Sequence, residues 1–170
     1  MSSPLRYDLF PTRLGWMGVL GSERGLCRLV LPQPSEEEAC RELGAEQAVR
    51  SPDFFADLAA RLQAYLEGKP AAFPDKLDLS KATEFQHRVW QATRQIGYGE
   101  TRSYRWVAER LGSPPAARAV GQALGRNPLP IIIPCHRVIA SDGGLGGYRD
   151  GLELKRELLR LEGGLSRLSE

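Results

Sequence analysis

The period of apolar and polar positions changes along the chain. Between residues 5 and 31, short apolar stretches are punctuated by Gly15, Gly18, Gly21 and Gly25 and end in the alternation Leu26-Cys27-Arg28-Leu29-Val30-Leu31. A period of two broken by turn residues predicts strands in a small antiparallel sheet. Residues 35–46 are acidic and polar, which suits a surface loop or a short helix. From Ser51-Pro52 the period becomes helical, with Phe55, Leu58, Leu62, Tyr65 and Leu66 recurring until Gly68. That helix is expected to cover one face of the sheet. Residues 69–79 hold Pro70 and Pro74 without periodicity and read as a linker.

Beyond it, Thr83-Glu84-Phe85-Gln86 has the form of a capping box and opens a helix through Phe85, Val89, Ala92 and Ile96 that Gly97 stops. Trp90 is assigned to the packing of that helix. A short helix from Ser103 to Leu111, then Gly112, then a helix capped by Ser113-Pro114 and running to about Gly125 make a helix-turn-helix pattern. The outer face of the second helix carries Arg118 and Gln122, and its other side carries Ala119, Val120 and Ala123. Pro114-Pro115 removes two N–H groups that could meet a phosphate, without harm to a helix start. Next come Asn127-Pro128, the apolar run Ile131-Ile132-Ile133, and Pro134-Cys135-His136-Arg137-Val138. A loop over residues 141–151 contains five glycines and Tyr148, and a last helix runs from Leu152 to about Glu162 with Leu154, Leu158 and Leu161 on its apolar side. The predicted fold is α/β of the α+β kind. Residues 1–80 form a sheet-and-helix domain, and residues 81–170 form a mainly helical domain with the helix-turn-helix and the Cys-His loop.

Charge sharpens this division. The net charge of +2 splits into nine Lys and Arg against twelve Asp and Glu over residues 1–80, and fourteen against nine over residues 81–170. The second half is therefore basic, and nearly all its cations are arginine, which suits bidentate contact with phosphate or base edges. A solvated basic surface is the plain alternative. Three scattered cysteines and the lack of a secretory signal or long apolar run point to a reduced, cytoplasmic protein with no membrane association. With no C-x-x-C and only His87 and His136 as histidines, neither a structural zinc nor another metal is expected.

Cys135 has two readings from its immediate neighbours. It is either a small buried hydrophobe or a nucleophile whose thiolate is favoured by an imidazole or a cation. The wider context decides between them. The segment Ile132-Ile133-Pro134-Cys135-His136-Arg137-Val138-Ile139 resembles the active-site signature of the O6-alkylguanine-DNA alkyltransferases. The likeness extends to Tyr98-Gly99-Glu100-Thr101-Arg102-Ser103-Tyr104, Ala116-Ala117-Arg118-Ala119-Val120-Gly121 and Asn127-Pro128. It covers residues 83–163, whereas residues 1–80 carry little signature.

The resemblance implies direct-reversal DNA repair, in which an alkyl group moves from guanine O6, or alternatively thymine O4, to Cys135. The transfer is irreversible, happens once per molecule, follows flipping of the base from the duplex, and needs no cofactor. It implies Arg118 as the finger that replaces the extruded base, with Ala116, Ala117, Gly121, Gln122 and Ser103 at the DNA. His136 is the proton relay through a water, Glu162 its orienter, and Asn127 the brace of the backbone turn. Tyr104 faces a ring nitrogen of the base, carbonyls of Val138 and Ile139 read its amine, and Tyr148 and the N–H of Arg149 close over it. Arg137 is read as structural. Arg149 and Asp150 are larger than is usual in the family and are expected to narrow the pocket. The implied partner is duplex DNA bearing O6-alkylguanine, met by a monomer, with cooperative assembly on DNA left open. Rival readings are a lesion-binding protein without transfer, a cysteine hydrolase and an alkylation-sensing regulator.

Overall fold

The computed structural model describes residues 4–164. The chain folds as two compact units, Met1–Ser80 and Lys81–Glu170.

In the first unit, strands β1 (Arg6–Thr12), β2 (Gly15–Ser22) and β3 (Gly25–Gln33) are antiparallel neighbours, and β4 (Val49–Arg50) adds in parallel to β1 at the sheet edge. The sheet is therefore mixed rather than purely antiparallel. Two residues carry no readable period, so the added strand left no trace in the pattern. Leu9, Gly18 and Val30 lie in register and meet Ala39 and Leu43 of helix α1 (Glu36–Leu43), which Ser35 caps. Their strand neighbours Phe10, Val19 and Leu29 point the other way and are buried too. Helix α1 packs on β2 and β3, whereas α2 (Pro52–Leu66) packs on β1. Two helices thus cover the sheet where the sequence predicted one, and the alternation fails at Leu29-Val30-Leu31, all buried.

Residues 69–79 belong to this unit and are no free linker. Leu26 N donates to Lys76 O at 2.9 Å, Asp78 N donates to Leu26 O at 2.8 Å, and Arg61 grips both oxygens of Asp75. A Cβ at Gly25, whose φ is 135°, would lie 2.7 Å from the Leu77 carbonyl carbon. Glycine there lets the segment close on the strand.

The second unit opens with α3 (Glu84–Thr93), whose capping box is complete: Thr83 Oγ1 accepts from Gln86 N and Gln86 Oε1 accepts from Thr83 N. Such a cap contributes about 1 kcal/mol. Trp90 packs inside, its Nε1 donating to Ala123 O at 2.9 Å. Strand β5 (Arg102–Ser103) pairs in parallel with β6 (Val138–Ile139) and leads into α4 (Tyr104–Arg110). Helix α5 (Ala117–Gly125) starts later than its cap pattern suggested, because Pro114–Ala116 form a 3₁₀ turn and Ser113 makes no capping bond. Neither proline has an N–H to donate, and the regular α-helix begins only at Ala117. Ala119 is exposed beside Arg118 rather than packed with Val120. Helix α6 (Leu152–Glu162) closes the described chain.

Candidate active site

A single asparagine organises the turn that presents the thiol. Asn127 Oδ1 accepts from Leu129 N at 2.8 Å, and its Nδ2 lies 2.8 Å from Ile133 O and 3.2 Å from Cys135 Sγ. Between these anchors Ile131 sits at φ 75°, a left-handed conformation that costs a β-branched residue about 1–3 kcal/mol. Burial of the isoleucine and the three asparagine contacts hold it there. Cys135–Arg137 then form one 3₁₀ turn. Successive side chains on such a turn diverge by about 120°, so the thiol and the imidazole face different surroundings.

Cys135 lies against a cavity of about 280 Å³, close to the lower bound of about 300 Å³ for small-molecule sites. Its walls are Tyr104 from α4, Gly121, Leu124 and Gly125 from α5, Asn127 and Pro130 from the turn, and Gly147 to Asp150 from the glycine-rich loop. The Tyr104 hydroxyl bonds both main-chain groups of Gly147, accepting from its N at 3.2 Å and donating to its O at 3.4 Å. Gly146 (φ 72°) is required there, since a Cβ would stand 2.7 Å from that hydroxyl. Arg149 crosses from the loop to the end of α5, donating to Gly125 O at 3.3 Å. Burial pushes the Cys135 thiol up, while hydrogen bonds from Asn127 and Tyr148 and the charges of Lys155 and Arg149 draw it back toward the thiolate. Burial also keeps the Tyr104 hydroxyl protonated.

Behind the thiol lies a buried polar network. His136 Nε2 is 2.7 Å from Glu162 Oε2. Arg137 donates to both oxygens of the same carboxylate, at 2.9 and 3.0 Å, and to Ile96 O, and Gly99 N donates to Glu162 Oε1. Burial pushes His136 below the usual imidazole value against the opposing pull of Glu162. For Glu162 burial acts upward, yet the hydrogen bond from His136 and the hydrogen bonds and charge of Arg137 outweigh it and hold the carboxyl well below the usual range. The imidazole is thus neutral with Nε2–H turned to a carboxylate, which leaves the lone pair on Nδ1.

The other candidates are spread around this centre. Val138 and Ile139 form β6 and stand outside the cavity lining, and Val138 O already accepts from Lys155 Nζ at 2.7 Å. Ser103 caps α4 through Trp106 N. Arg118 and Gln122 are exposed, and Ala116, Ala117 and Gly121 half-buried. Arg118, Gly121, Gln122 and Gly125 share one stripe of α5, so the exposed arginine sits one turn from the cavity wall. Lys155 was missed from the sequence. Its stripe is Lys155, Leu158, Leu159 and Glu162, all buried, rather than one centred on Leu154 and Leu161. The i, i+3, i+4, i+7 spacing of two charges around two leucines was the available signal. Among the described residues no cluster of His, Cys, Asp and Glu could hold a metal, and no helix is long and apolar enough to cross a membrane.

A thiol beside a small cavity, walled by the helices of a basic helix-turn-helix, defines a cysteine-dependent protein that works on nucleic acid. Similarity to known proteins agrees. Residues 5–79 match the ribonuclease-like domain, and residues 84–164 the DNA binding domain, of 6-O-methylguanine DNA methyltransferase. A methylated-DNA–protein-cysteine methyltransferase of Methanosarcina barkeri is 44% identical over 92% of this chain and 96% of its own length. One of Mycobacterium leprae is 56% identical over 64% of this chain and 65% of its own length. The fold superposes on Mycobacterium tuberculosis OGT solved in complex with DNA, with a TM-score of 0.80 and 41% identity, covering 96% and 94% of the two chains. It also matches the O6-methylguanine-DNA methyltransferase of Pyrococcus kodakaraensis, with a TM-score of 0.70 and 27% identity over 92% and 99%. The chain belongs to the 6-O-methylguanine DNA methyltransferase family.

Proposed function

We propose that this protein repairs O6-alkylguanine in duplex DNA by moving the alkyl group onto Cys135 Sγ, once per molecule. The observation that carries the reading is the thiol itself, at the wall of a cavity whose other residues offer donors and cations to a thiolate. His136 Nδ1 takes the thiol proton through an intervening water, and Glu162 accepts from Nε2–H and stabilises the imidazolium. The thiolate attacks the alkyl carbon in line. An S–C bond forms, the C–O6 bond breaks, and its electron pair leaves with guanine. Tyr104, kept protonated by burial, donates to a ring nitrogen of the departing base. Asn127 keeps the turn rigid, while Tyr148 and the main chain of Arg149 cover the base.

The flipped nucleotide reaches this cavity past α5. Arg118 fills the gap in the duplex, and the small residues Ala116, Ala117 and Gly121 let the helix lie close to the groove, with Gln122 and Ser103 at its margins. The protein acts as a monomer on duplex DNA and requires no cofactor. A lesion-binding protein without transfer has no use for a thiol in this setting, and a hydrolase has no use for Arg118.

The deciding measurement is the mass of the protein after incubation with a duplex carrying one O6-methylguanine. A gain of one methyl group at Cys135, absent from Cys135→Ala, is expected. Continued turnover, or a methyl on Cys27 or Cys40, would overturn the reading.

A further inference from the structure

Lys155 is fully buried, with a relative exposure of 0%, and its ammonium is held by main-chain carbonyls rather than by a carboxylate. Its ammonium donates to three main-chain carbonyls: Val138 O in β6 at 2.7 Å, and Leu145 O and Gly147 O in the glycine-rich loop at 2.5 and 2.9 Å. These acceptors come from two separate segments. One strand follows Cys135 directly, and the loop forms the far wall of the cavity, where Gly147 also carries both bonds to Tyr104. Burying an uncompensated ammonium is costly, and a leucine or methionine at this position of α6 would fill the volume at less cost. A charge kept at such cost is expected to serve a second buried charge. The groups that face it are the rings of Tyr104 (5.8 Å) and Tyr148 (6.0 Å), Cys135, and His136 behind the thiol. The acid among them that must ionise for the reaction is Cys135.

We propose that Lys155 is a positioning residue for the transfer: its ammonium clamps the glycine-rich loop to β6, and so shapes the base cavity, and it is the buried counter-charge that favours the Cys135 thiolate. The inference rests on the alkyl-transfer reading given above. The two roles are linked, because one proton on Nζ maintains both the three carbonyl bonds and the charge. Losing that proton leaves an amine with two N–H groups for three acceptors. Burial lowers Lys155 to about 8, so this loss falls within an accessible pH range.

Two measurements test the clamp. First, the reactivity of Cys135 toward iodoacetamide is followed against pH by the mass of the Cys135 peptide, which excludes Cys27 and Cys40 from the signal. In Lys155→Met the ionisation midpoint is expected to rise by about one pH unit or more, with transfer at neutral pH slowed about tenfold. Coincident midpoints in the two folded proteins would overturn the proposal. Second, the wild-type rate of transfer from free O6-methylguanine base is measured across pH, which does not depend on the variant folding. A rate that peaks near pH 8 and then declines is expected, whereas one that climbs steadily to about pH 9.5 would overturn the clamp. The iodoacetamide titration needs no alkyl donor. A shifted midpoint in a protein that never acquires a methyl group would therefore sink the repair reading and spare the electrostatic one, and the reverse result would do the opposite.

Discussion

Arg149 is where this chain sets its own limits. Its side chain is half-exposed, yet it spans from the glycine-rich loop to Gly125 O, one of the unsatisfied carbonyls at the end of α5, where a cation is favoured. The strap crosses the cavity next to Asp150, whose carboxylate lies 3.7 Å from the Arg149 Nε. On the repair reading, a methyl group adds little to a base bound in this cavity. A benzyl group is expected to displace the guanidinium and break its bond to Gly125, losing about 1 kcal/mol or more. Arg149→Ser is therefore expected to raise the rate with O6-benzylguanine about fivefold or more relative to O6-methylguanine. The ratio of the two second-order rate constants measures this directly. An unchanged ratio would mean that the strap swings aside at no cost.

On the repair reading helix α5 carries two tasks on one stripe, and that arrangement makes them separable. Arg118 lies outside the cavity, whereas Gly121 and Gly125 on the same stripe line it. A Cβ at Gly121 would meet the Tyr104 ring at 3.7 Å, an ordinary contact, so the fold alone does not demand glycine there. Arg118→Ala is expected to slow repair of an alkylated duplex about a hundredfold while leaving reaction with the free base within about twofold, because only the duplex requires a gap to be held open. Comparable losses on both substrates would place Arg118 in the chemistry instead. The legibility of the elements follows the same physics. Helices with a clear apolar stripe and a start signal could be read from the sequence, α2 from the proline in its first turn and α3 from its capping box. The start of α5 could not, since two prolines fit either the first turn of an α-helix or a 3₁₀ turn. The two-residue strands β4, β5 and β6 are made by partners distant in sequence and have no local signal. For Lys155 the helical spacing with Leu158, Leu159 and Glu162 was legible, but not its burial, which depends on the three carbonyls brought together from elsewhere in the chain.

At the scale of the whole molecule, the network behind the thiol ties the acid limit of stability to the catalytic parts. Glu162 holds α6 to the turn after α3 through Gly99 N, and to the 3₁₀ turn through His136 and Arg137, whose guanidinium also reaches Ile96 O. Both titrating groups act in the same direction. Burial depresses His136 in the folded state, so below about pH 6.5 the unfolded chain takes up a proton that the folded one refuses, and stability falls as pH falls. Glu162, held down by His136 and Arg137 against its burial, adds a second decline once pH drops below the ordinary carboxylate value of about 4.3. Urea midpoints are thus expected to be level near neutral pH, to fall gently below about pH 6.5, and to fall steeply below about pH 4.5. Glu162→Gln leaves Arg137 buried without its counter-charge. It should cost about 3–5 kcal/mol at neutral pH and remove the contribution of this carboxylate to the steep acid limb. A variant with wild-type stability at pH 7 and an unaltered acid limb would show that the carboxylate does not hold the fold.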